Sequence, residues 1–218
     1  MNTSKLKLIT KDYEIEDLRI DQLQTKGELT KTLILDSALY LAGRDGFEGL
    51  TIGLIADRMQ MSKSGVYAHF DSKENLQLEV INEYHRRFKE SIFDPAMTMP
   101  RGMPRLKMLL DLWIKITISE INTGCIYISG AMELDDRPGP VRDELAKIVQ
   151  DWRNAIIKAI KMAVTEGHLK KDVNPRELLF AFYGAILCLQ HDARFLRDKE
   201  SIQTAKKYIK KIIAAHCP

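Results

Sequence analysis

Residues 51–73, TIGLIADRMQMSKSGVYAHFDSK, constrain the fold more than any other part of the chain. Thr51 and Ser62 each precede a run with helical apolar spacing, and their hydroxyl oxygens can accept the free backbone N–H groups of a first helical turn. Between the two runs the chain has to turn sharply at Gln60, at a cost of about 1 kcal/mol if that residue becomes left-handed. The stretch therefore predicts two short helices joined by a tight turn.

The second of these helices has an outer surface suited to the major groove of DNA. Val66 and Phe70 are four residues apart and are expected to point inward. The residues left outward are small, polar or aromatic: Lys63, Ser64, Gly65, Tyr67 and His69. Small residues let the helix backbone come close to the bases, while Lys, Ser and Tyr can reach phosphates or base edges. The pattern predicts a helix that reads double-stranded DNA.

The order and spacing of these residues resemble the DNA-binding region of TetR-family transcriptional regulators. The resemblance is carried by Thr51, Ile55-Ala56, Met61-Ser62-Lys63, Val66-Tyr67, His69-Phe70 and Ser72-Lys73-Glu74. With a matching helix before them, it covers roughly the first third of the chain. Two positions depart from the family pattern: Gln60 stands where Gly is usual, and Gly53-Leu54 replaces a polar, often acidic pair, which removes a capping box.

The resemblance implies an all-α fold of about nine helices, with an N-terminal three-helix DNA-binding domain and a C-terminal helical ligand-binding and dimerisation domain. On this pattern residues 1–26 form an N-terminal extension and residues 27–73 the helix-turn-helix domain. Residues 74–94 form a connecting helix, and residues 95–218 the C-terminal domain. The family also implies a homodimer joined through its two C-terminal helices.

Eight residues are candidates for contact with a DNA operator: Thr51, Ser62, Lys63, Ser64, Gly65, Tyr67, His69 and Lys73. Thr51, Tyr67 and Lys73 are expected to hold phosphates, with Lys63, Ser64 and Gly65 nearest the bases. For Tyr67 and His69 the alternative is a ring packed partly on the protein surface. Two copies of the helix would meet successive major grooves of a near-palindromic operator, about 34 Å or somewhat more apart.

Helical apolar spacing continues through the rest of the chain. A long helix is predicted to begin at Asp71 or Ser72 and to end at Asp94-Pro95, since this pair breaks the pattern. Residues 178–189 are apolar or aromatic almost all round, but far fewer than the about 20 residues that cross a bilayer, so no membrane span is predicted. A helix of this kind needs covering on every side, which favours a four-helix bundle between two copies.

A small apolar molecule bound in the C-terminal domain is the predicted effector, and it would alter the spacing of the two reading helices. Large, adaptable or partly polar residues are the candidates for lining its site: Met108, Trp113, Tyr127, Met132, Trp152 and Tyr183. The plain alternative for each is a core residue. The pattern predicts release of a repressor from its operator by ligand.

Composition leaves two other classes of function to weigh. The 33 basic and 30 acidic residues give a net charge of only +3, so the motif alone carries the prediction of DNA binding. An architectural DNA-binding protein would lack an effector site. An all-α enzyme is disfavoured because no HExxH or G-x-S-x-G motif is present and the five histidines have no metal-ligand spacing. Glu133, Asp135 and Asp136 read as loop and cap residues, and neither a cofactor nor a metal is expected.

The two ends of the chain and its cysteines complete the prediction. No apolar run follows the first Met, and three widely spaced cysteines suit a reducing compartment, so a cytoplasmic protein is expected. The extension has two interpretations, a frayed arm or an arm that enters the minor groove. The lysines of the last predicted helix, residues 206–211, are either a solvated face or a second nucleic-acid patch.

Overall fold

The computed structural model describes residues 25–218, so the predicted extension lies almost wholly outside the described residues. Contacts divide the chain between Thr32 and Leu33. In the short described part before that division, Thr25 Oγ1 accepts the Glu28 N–H at 3.3 Å and the Thr25 N–H donates to the Glu28 carboxylate at 2.6 Å. This reciprocal pair caps the start of the first helix. Leu33 begins a unit that runs to Pro218.

Nine helices account for the fold of the described residues, in which no strand occurs. They are α1 Lys26–Gly49, α2 Ile52–Met59, α3 Lys63–Phe70, α4 Lys73–Phe88, α5 Met103–Ser119, α6 Ile126–Leu134, α7 Pro140–Thr165, α8 Pro175–Gln190 and α9 Ser201–His216. Two of them are prolonged by π turns, α4 through Lys89–Phe93 into Asp94–Met97 and α8 through His191–Phe195. The predicted all-α fold is confirmed.

A shared apolar core holds α1, α2 and α3 together. Ile34, Ala38, Ile55, Val66 and Phe70 are each no more than 1% exposed. Burying an Ile, Val or Phe side chain contributes about 1.5–3 kcal/mol. Because Val66 and Phe70 are both buried, the predicted inward face of α3 is confirmed, and the opposite face is left at the surface.

Helix α4 runs beyond the end that the sequence predicts, and the prediction that Asp94-Pro95 terminates it is wrong. The Asp94 N–H bonds to the Lys89 carbonyl, five residues back, so the helix widens just before Pro95. Proline cannot donate an N–H and its ring clashes with the preceding turn of a regular α-helix. The wider turn comes directly before Pro95, and the helix continues to Met97 and ends with Thr98 as its C-cap.

The long helix α7 is the centre of the C-terminal half. It packs against α4, α5, α6 and α8, and α8 in turn packs against α9. Trp152, Ile156 and Ile160 are among its buried residues. Pro140 stands in its first turn, and the helix stops just before Gly167, which has a φ of 72°. A left-handed residue at this position ends a helix in the usual way.

Large apolar side chains remain exposed on the last two helices and the turn between them. They are Phe180 and Phe195 at 76%, Leu196 at 58%, Tyr208 at 52% and Leu187 at 40%. The single chain therefore covers one side of α8 and leaves another side open. Within residues 25–218 no helix has both the length and the apolar character needed to cross a membrane.

Candidate functional site

Both short helices of the helix-turn-helix begin with the predicted caps. Ser62 Oγ accepts the Gly65 N–H at 3.1 Å and lies 3.0 Å from Ser64 Oγ. Thr51 Oγ1 accepts the Leu54 N–H at 3.1 Å. The remaining N–H groups at the start of such a helix, together with its dipole, favour a negatively charged neighbour such as a phosphate.

The turn between α2 and α3 is made by a residue in the left-handed conformation. Gln60 has φ 54° and ψ 39°. Its N–H bonds to the Asp57 carbonyl at 3.2 Å, and the Met61 N–H bonds to the Ala56 carbonyl at 2.9 Å. These bonds close the last turn of α2, so the non-glycine residue is tolerated at a cost of about 1 kcal/mol.

Helix α3 presents a small polar surface to solvent. Lys63 and Ser64 are exposed, and the Tyr67 ring is 53% exposed. Gly65 and His69 are half-buried on the same short helix. Tyr67 is thus free of the packing that would restrict it to a structural role, whereas the His69 ring is partly covered.

Lys63 extends back across the start of α2, to a place that the sequence did not indicate. A Cβ added to Gly53 would lie 3.4 Å from Lys63 Cε and 3.7 Å from its Nζ. The same Cβ would lie 3.9 Å from Thr51 Oγ1. The ammonium of Lys63 therefore lies over Gly53, near the start of α2, at a distance where an added Cβ would make ordinary van der Waals contact.

Lys73 is engaged within the protein. Its Nζ lies 3.2 Å from both the carbonyl and the carboxylate of Glu48. Arg137 lies 3.3 Å from the same carboxylate, and the nearby cations lower the pKa of Glu48, led by the hydrogen bond from Lys73. A DNA phosphate would have to compete with Glu48 for this lysine.

Two arginines beside the reading helices share one aromatic ring. The Arg58 guanidinium carbon lies 4.8 Å from the centre of the Tyr40 ring, and that of Arg44 lies 5.4 Å from it. Arg44 is also paired with Asp45 at 2.6 Å. Tyr40 lies on α1 and is not among the DNA-contact residues that the sequence predicts. The ring holds a cation at the surface of the helix-turn-helix.

A cavity of about 420 Å³ lies in the C-terminal half, between α4 with its π turn, α5 and α7. Its wall is mainly apolar and is formed by Phe88, Phe93, Met97, Trp152, Ala155, Ala159 and Met162. Polar and charged lining residues are His85, Lys89, Arg105, Asp151, Asn154 and Lys158. Lys89, Asp151, Asn154 and Lys158 are exposed, so they mark the opening of the cavity. The volume suits a small organic molecule.

The six candidate ligand residues occupy different places around this cavity. Trp152 lines it. Trp113 packs edge-on against Trp152 at 5.2 Å and against Tyr183 at 5.3 Å, so these rings form the layer behind the wall. Tyr127 belongs to the same layer, 4.8 Å from the wall residue Phe88. The other two residues are outside this group: Met108 is half-buried on α5, and Met132 is 75% exposed on α6.

Sequence reasoning missed most of the cavity wall. Phe93 is the last residue of the π turn, directly before the predicted helix end, and Met97 lies in the last turn of α4, beyond that end. Because the sequence predicts that α4 ends at Asp94-Pro95, Met97 is not among the predicted lining residues. The signal that could have found them is the apolar spacing of Phe88, Phe93 and Met97, which runs through the proline.

Behind the cavity lies a small polar network in an aromatic setting. His85 Nδ1 lies 2.7 Å from the Tyr127 hydroxyl, and burial lowers the pKa of His85. The Tyr84 hydroxyl donates to the Glu120 carboxylate at 3.0 Å and lies 3.2 Å from Cys125 Sγ. Burial raises the pKa of Glu120 to about 7 and also raises those of Tyr84 and Cys125. Within residues 25–218 no cluster of His, Cys, Asp or Glu could hold a metal ion.

Comparison with known families identifies both halves of the chain. Residues 34–80 match the family described as bacterial regulatory proteins, tetR family. Residues 102–209 match the family described as tetracyclin repressor-like, C-terminal domain. The chain belongs to the TetR family of transcriptional regulators. The resemblance found in the sequence is confirmed, and the TetR family is one of regulators rather than enzymes.

Individual TetR-family proteins resemble this chain along most of its length. The HTH-type transcriptional repressor DhaR of Mycobacterium sp. (strain GP1) is 25% identical over 146 residues, which cover 65% of this chain and 73% of that protein. A TetR regulator from Chloroflexus aurantiacus J-10-FL has a TM-score of 0.79 and 21% identity, over 88% of this chain and 98% of that one. AibR, solved with isovaleryl coenzyme A and operator DNA, has a TM-score of 0.65 and 21% identity, over 86% and 98%.

In this TetR-family chain the first helix is fitted closely to the C-terminal half. A Cβ added to Gly124, whose φ is 88°, would lie 2.1 Å from the Gly43 carbonyl oxygen. A Cβ added to Gly43 would lie 2.6 Å from the Thr123 carbonyl oxygen. Only glycine permits so close an approach of two backbones. Gln77 of α4 adds a hydrogen bond of 2.6 Å to the Phe47 carbonyl.

Proposed function

We propose that this TetR-family protein is a homodimeric repressor that binds a near-palindromic operator through α3 and leaves it when a small molecule with an apolar body occupies the cavity. One observation carries the proposal: α4 begins directly after the reading helix and also forms a wall of the cavity. A ligand that displaces Phe88 or Phe93 therefore moves the helix to which α3 is joined. A protein that acts on chromosomal DNA in this way works in the cytoplasm.

The DNA contact is assigned to the exposed face of α3 and its neighbours. Tyr67 holds a phosphate through its hydroxyl, and Lys63 and Thr51 together offer a positive charge and a hydroxyl beside the start of α2. Ser64 and Gly65 lie nearest the base edges, where small side chains let the helix enter the groove. Lys73 contributes by leaving its ion pair with Glu48 and binding a DNA phosphate instead.

Dimerisation is assigned to α8 and α9. Phe180 and Phe195 are each 76% exposed in the single chain, and Tyr208 on α9 is 52% exposed. Large apolar side chains grouped on two neighbouring helices mark an interface. Two copies related by a two-fold axis would cover them in a four-helix bundle, and the same axis would present two α3 helices to the DNA.

Ligand control is assigned to the cavity behind α4. Its volume of about 420 Å³ lies within the range of small-molecule sites, and its wall is mostly apolar. AibR has been solved with both isovaleryl coenzyme A and operator DNA, which supports effector control in a chain of this fold. A coupling free energy of about 1–3 kcal/mol between the two sites suffices to release the operator.

The alternative without an effector, an architectural DNA-binding protein, needs no cavity. An apolar cavity of this size is costly to keep empty, because its lining side chains lose packing contacts. The cavity therefore favours the ligand-responsive regulator. For the enzyme alternative, the polar lining residues are one imidazole, three cations, one carboxylate and one amide, and the imidazole of His85 is hydrogen-bonded to the buried Tyr127 hydroxyl behind the wall.

In the experiment, DNA fragments that the purified protein selects are titrated with the unmodified protein and with its variants. Tyr67→Ala and Lys63→Ala are each expected to weaken binding by about 1–3 kcal/mol at physiological salt. Lys206→Ala is the matched control, because Lys206 is an exposed lysine of α9, far along the chain from the helix-turn-helix. Unchanged binding by the first two variants contradicts the assignment of α3. A loss with Lys206→Ala alone favours the second nucleic-acid patch.

A further inference from the structure

The opening of the cavity carries more positive than negative charge. Three cations line it, Lys89, Arg105 and Lys158, against the single carboxylate of Asp151. Lys89 is already paired, since its Nζ lies 2.6 Å from the Asp94 carboxylate. Neither Arg105 nor Lys158 forms an ion pair within residues 25–218. Two cations thus remain beside one acid at the edge of an apolar space.

Arg105 is held in place by neutral partners. Its Nε donates to the Met99 carbonyl at 3.3 Å, and its Nη2 donates to the same carbonyl at 2.9 Å and to that of Met97 at 3.4 Å. A guanidinium has five N–H donors, and Nη1 takes no part in these bonds. The side chain is half-buried, so its charge is only partly screened by water. It is fixed by backbone oxygens and keeps donors available for an anion.

Trp152 belongs to the same cavity but adds no donor to its open space. Its side chain lines the wall and is 5% exposed. Its indole Nε1–H has no hydrogen-bond partner in the part of the chain that the structure describes. A buried N–H of tryptophan usually finds an acceptor. The Nε1 atom itself has almost no accessible surface, so this N–H is enclosed within the wall and does not face the open space of the cavity.

We propose that the effector is an amphiphile with an aliphatic acyl chain and an anionic head, in which the chain fills the apolar cavity and the head lies beside Arg105 and Lys158. The proposal rests on the proposed function and names the chemical class of its ligand. Phe88, Phe93 and Met162 surround the chain. A free carboxylate and an acyl thioester of a phosphate-bearing carrier share this chemistry.

The test is calorimetric titration of the full-length protein with three probes that share one chain, namely octanoate, octanol and octyltrimethylammonium. Octanoate is expected to bind about threefold or more tightly than octanol, because its anionic head meets the basic side chains at a partly exposed site. Octyltrimethylammonium, whose head is positive, is expected to bind most weakly. Octanoyl coenzyme A, run in parallel, distinguishes the two sources: tighter binding than octanoate indicates the thioester. Octanol binding as tightly as octanoate overturns the proposal.

Variants test where the head of the ligand binds. Lys158→Gln is expected to weaken octanoate about two- to fivefold and leave octanol unchanged. Lys161→Gln is the matched control on the same helix, exposed but outside the cavity lining. Equal effects of Lys158→Gln and Lys161→Gln, or equal losses for all three probes, contradict the assignment.

One further measurement tests the ligand class independently of the regulatory role. Operator binding is followed with and without saturating octanoate. Binding that follows the predicted order together with weaker operator affinity supports both claims. Binding in that order with unchanged operator affinity supports the ligand class and contradicts ligand-controlled release.

Discussion

The carboxylate of Glu133 on α6 accepts the backbone N–H of Phe47 at 2.8 Å, across 86 positions of sequence. The same carboxylate accepts the Glu48 N–H at 2.6 Å. A Cβ added to Gly46, whose φ is 81°, would lie 2.6 Å from Glu133 Oε2. One acidic side chain of the C-terminal half thus accepts the backbone N–H groups that follow the kink of α1 at Gly46, close to the turn that leads into the DNA-reading helices.

Replacing Glu133 with Ala is expected to lower the free energy of unfolding by about 1–3 kcal/mol, because two backbone N–H groups lose a charged acceptor. Urea unfolding measures the loss. Asp136→Ala is the control, since Asp136 is exposed on the loop that follows the same helix. Equal stabilities of the two variants would show that the Glu133 bonds contribute nothing in solution.

Replacing Gln60 with Gly is expected to raise the free energy of unfolding by up to about 1 kcal/mol, because the left-handed backbone at this position strains a residue that carries a Cβ. The same change at Gln150, exposed in the middle of α7, is expected to lower it by about 1 kcal/mol. Urea unfolding of both variants gives the comparison. Destabilisation at both positions would contradict the strain assigned to the turn.

Glu120 is expected to make stability fall as pH rises from about 4.5 to about 7. Its pKa in the folded protein, about 7, lies above its ordinary value of 4.5, because burial disfavours the charged form. The folded state therefore holds the proton in this window, and the protein loses up to about 3 kcal/mol when the proton leaves. Glu120→Gln should be more stable than the unmodified protein at pH 8, with the gain vanishing near pH 4.

Unfolding of Glu120→Gln and the unmodified protein is measured across this pH range. Asp172→Asn serves as the reference, because Asp172 is exposed. This substitution removes one carboxylate from the surface and leaves the buried Glu120 in place. Parallel stability curves for the unmodified protein and Glu120→Gln would rule out the raised pKa.

Phe180→Asp is expected to convert the proposed dimer to monomer, because it would place a charge in the apolar interface that we assign to α8 and α9. Sedimentation velocity at several concentrations measures the change. Met132→Asp is the matched control, since Met132 is 75% exposed, against 76% for Phe180, but lies on α6. A dimer that survives Phe180→Asp and Phe195→Asp would place the interface elsewhere.

Local chemistry made the helix-turn-helix predictable. Thr51 and Ser62 cap helices through bonds to residues three positions on, and Val66 and Phe70 follow from helical spacing alone. The all-α fold and the long α7 follow from the same spacing. Such features depend on neighbours in sequence, so the sequence contains the information needed.

Long-range and exceptional geometry was not predictable in the same way. Glu133 was assigned to cap chemistry, but its partners are 85 and 86 positions away, which spacing cannot reveal. The π turn before Pro95 depends on how α4 packs, and missing it removed Met97 from the candidate wall. The DNA and ligand contacts themselves remain predictions, including those of Met108 and Met132, which the structure places away from the cavity lining.

Selection and sequencing of DNA bound by the purified protein tests the central claim most directly. The account predicts an enriched inverted repeat whose half-sites are separated by about one helical turn or somewhat more, and no such enrichment by Tyr67→Ala. An enriched sequence without two-fold symmetry, or the same inverted repeat enriched equally by Tyr67→Ala, would contradict the reading of DNA by a pair of α3 helices.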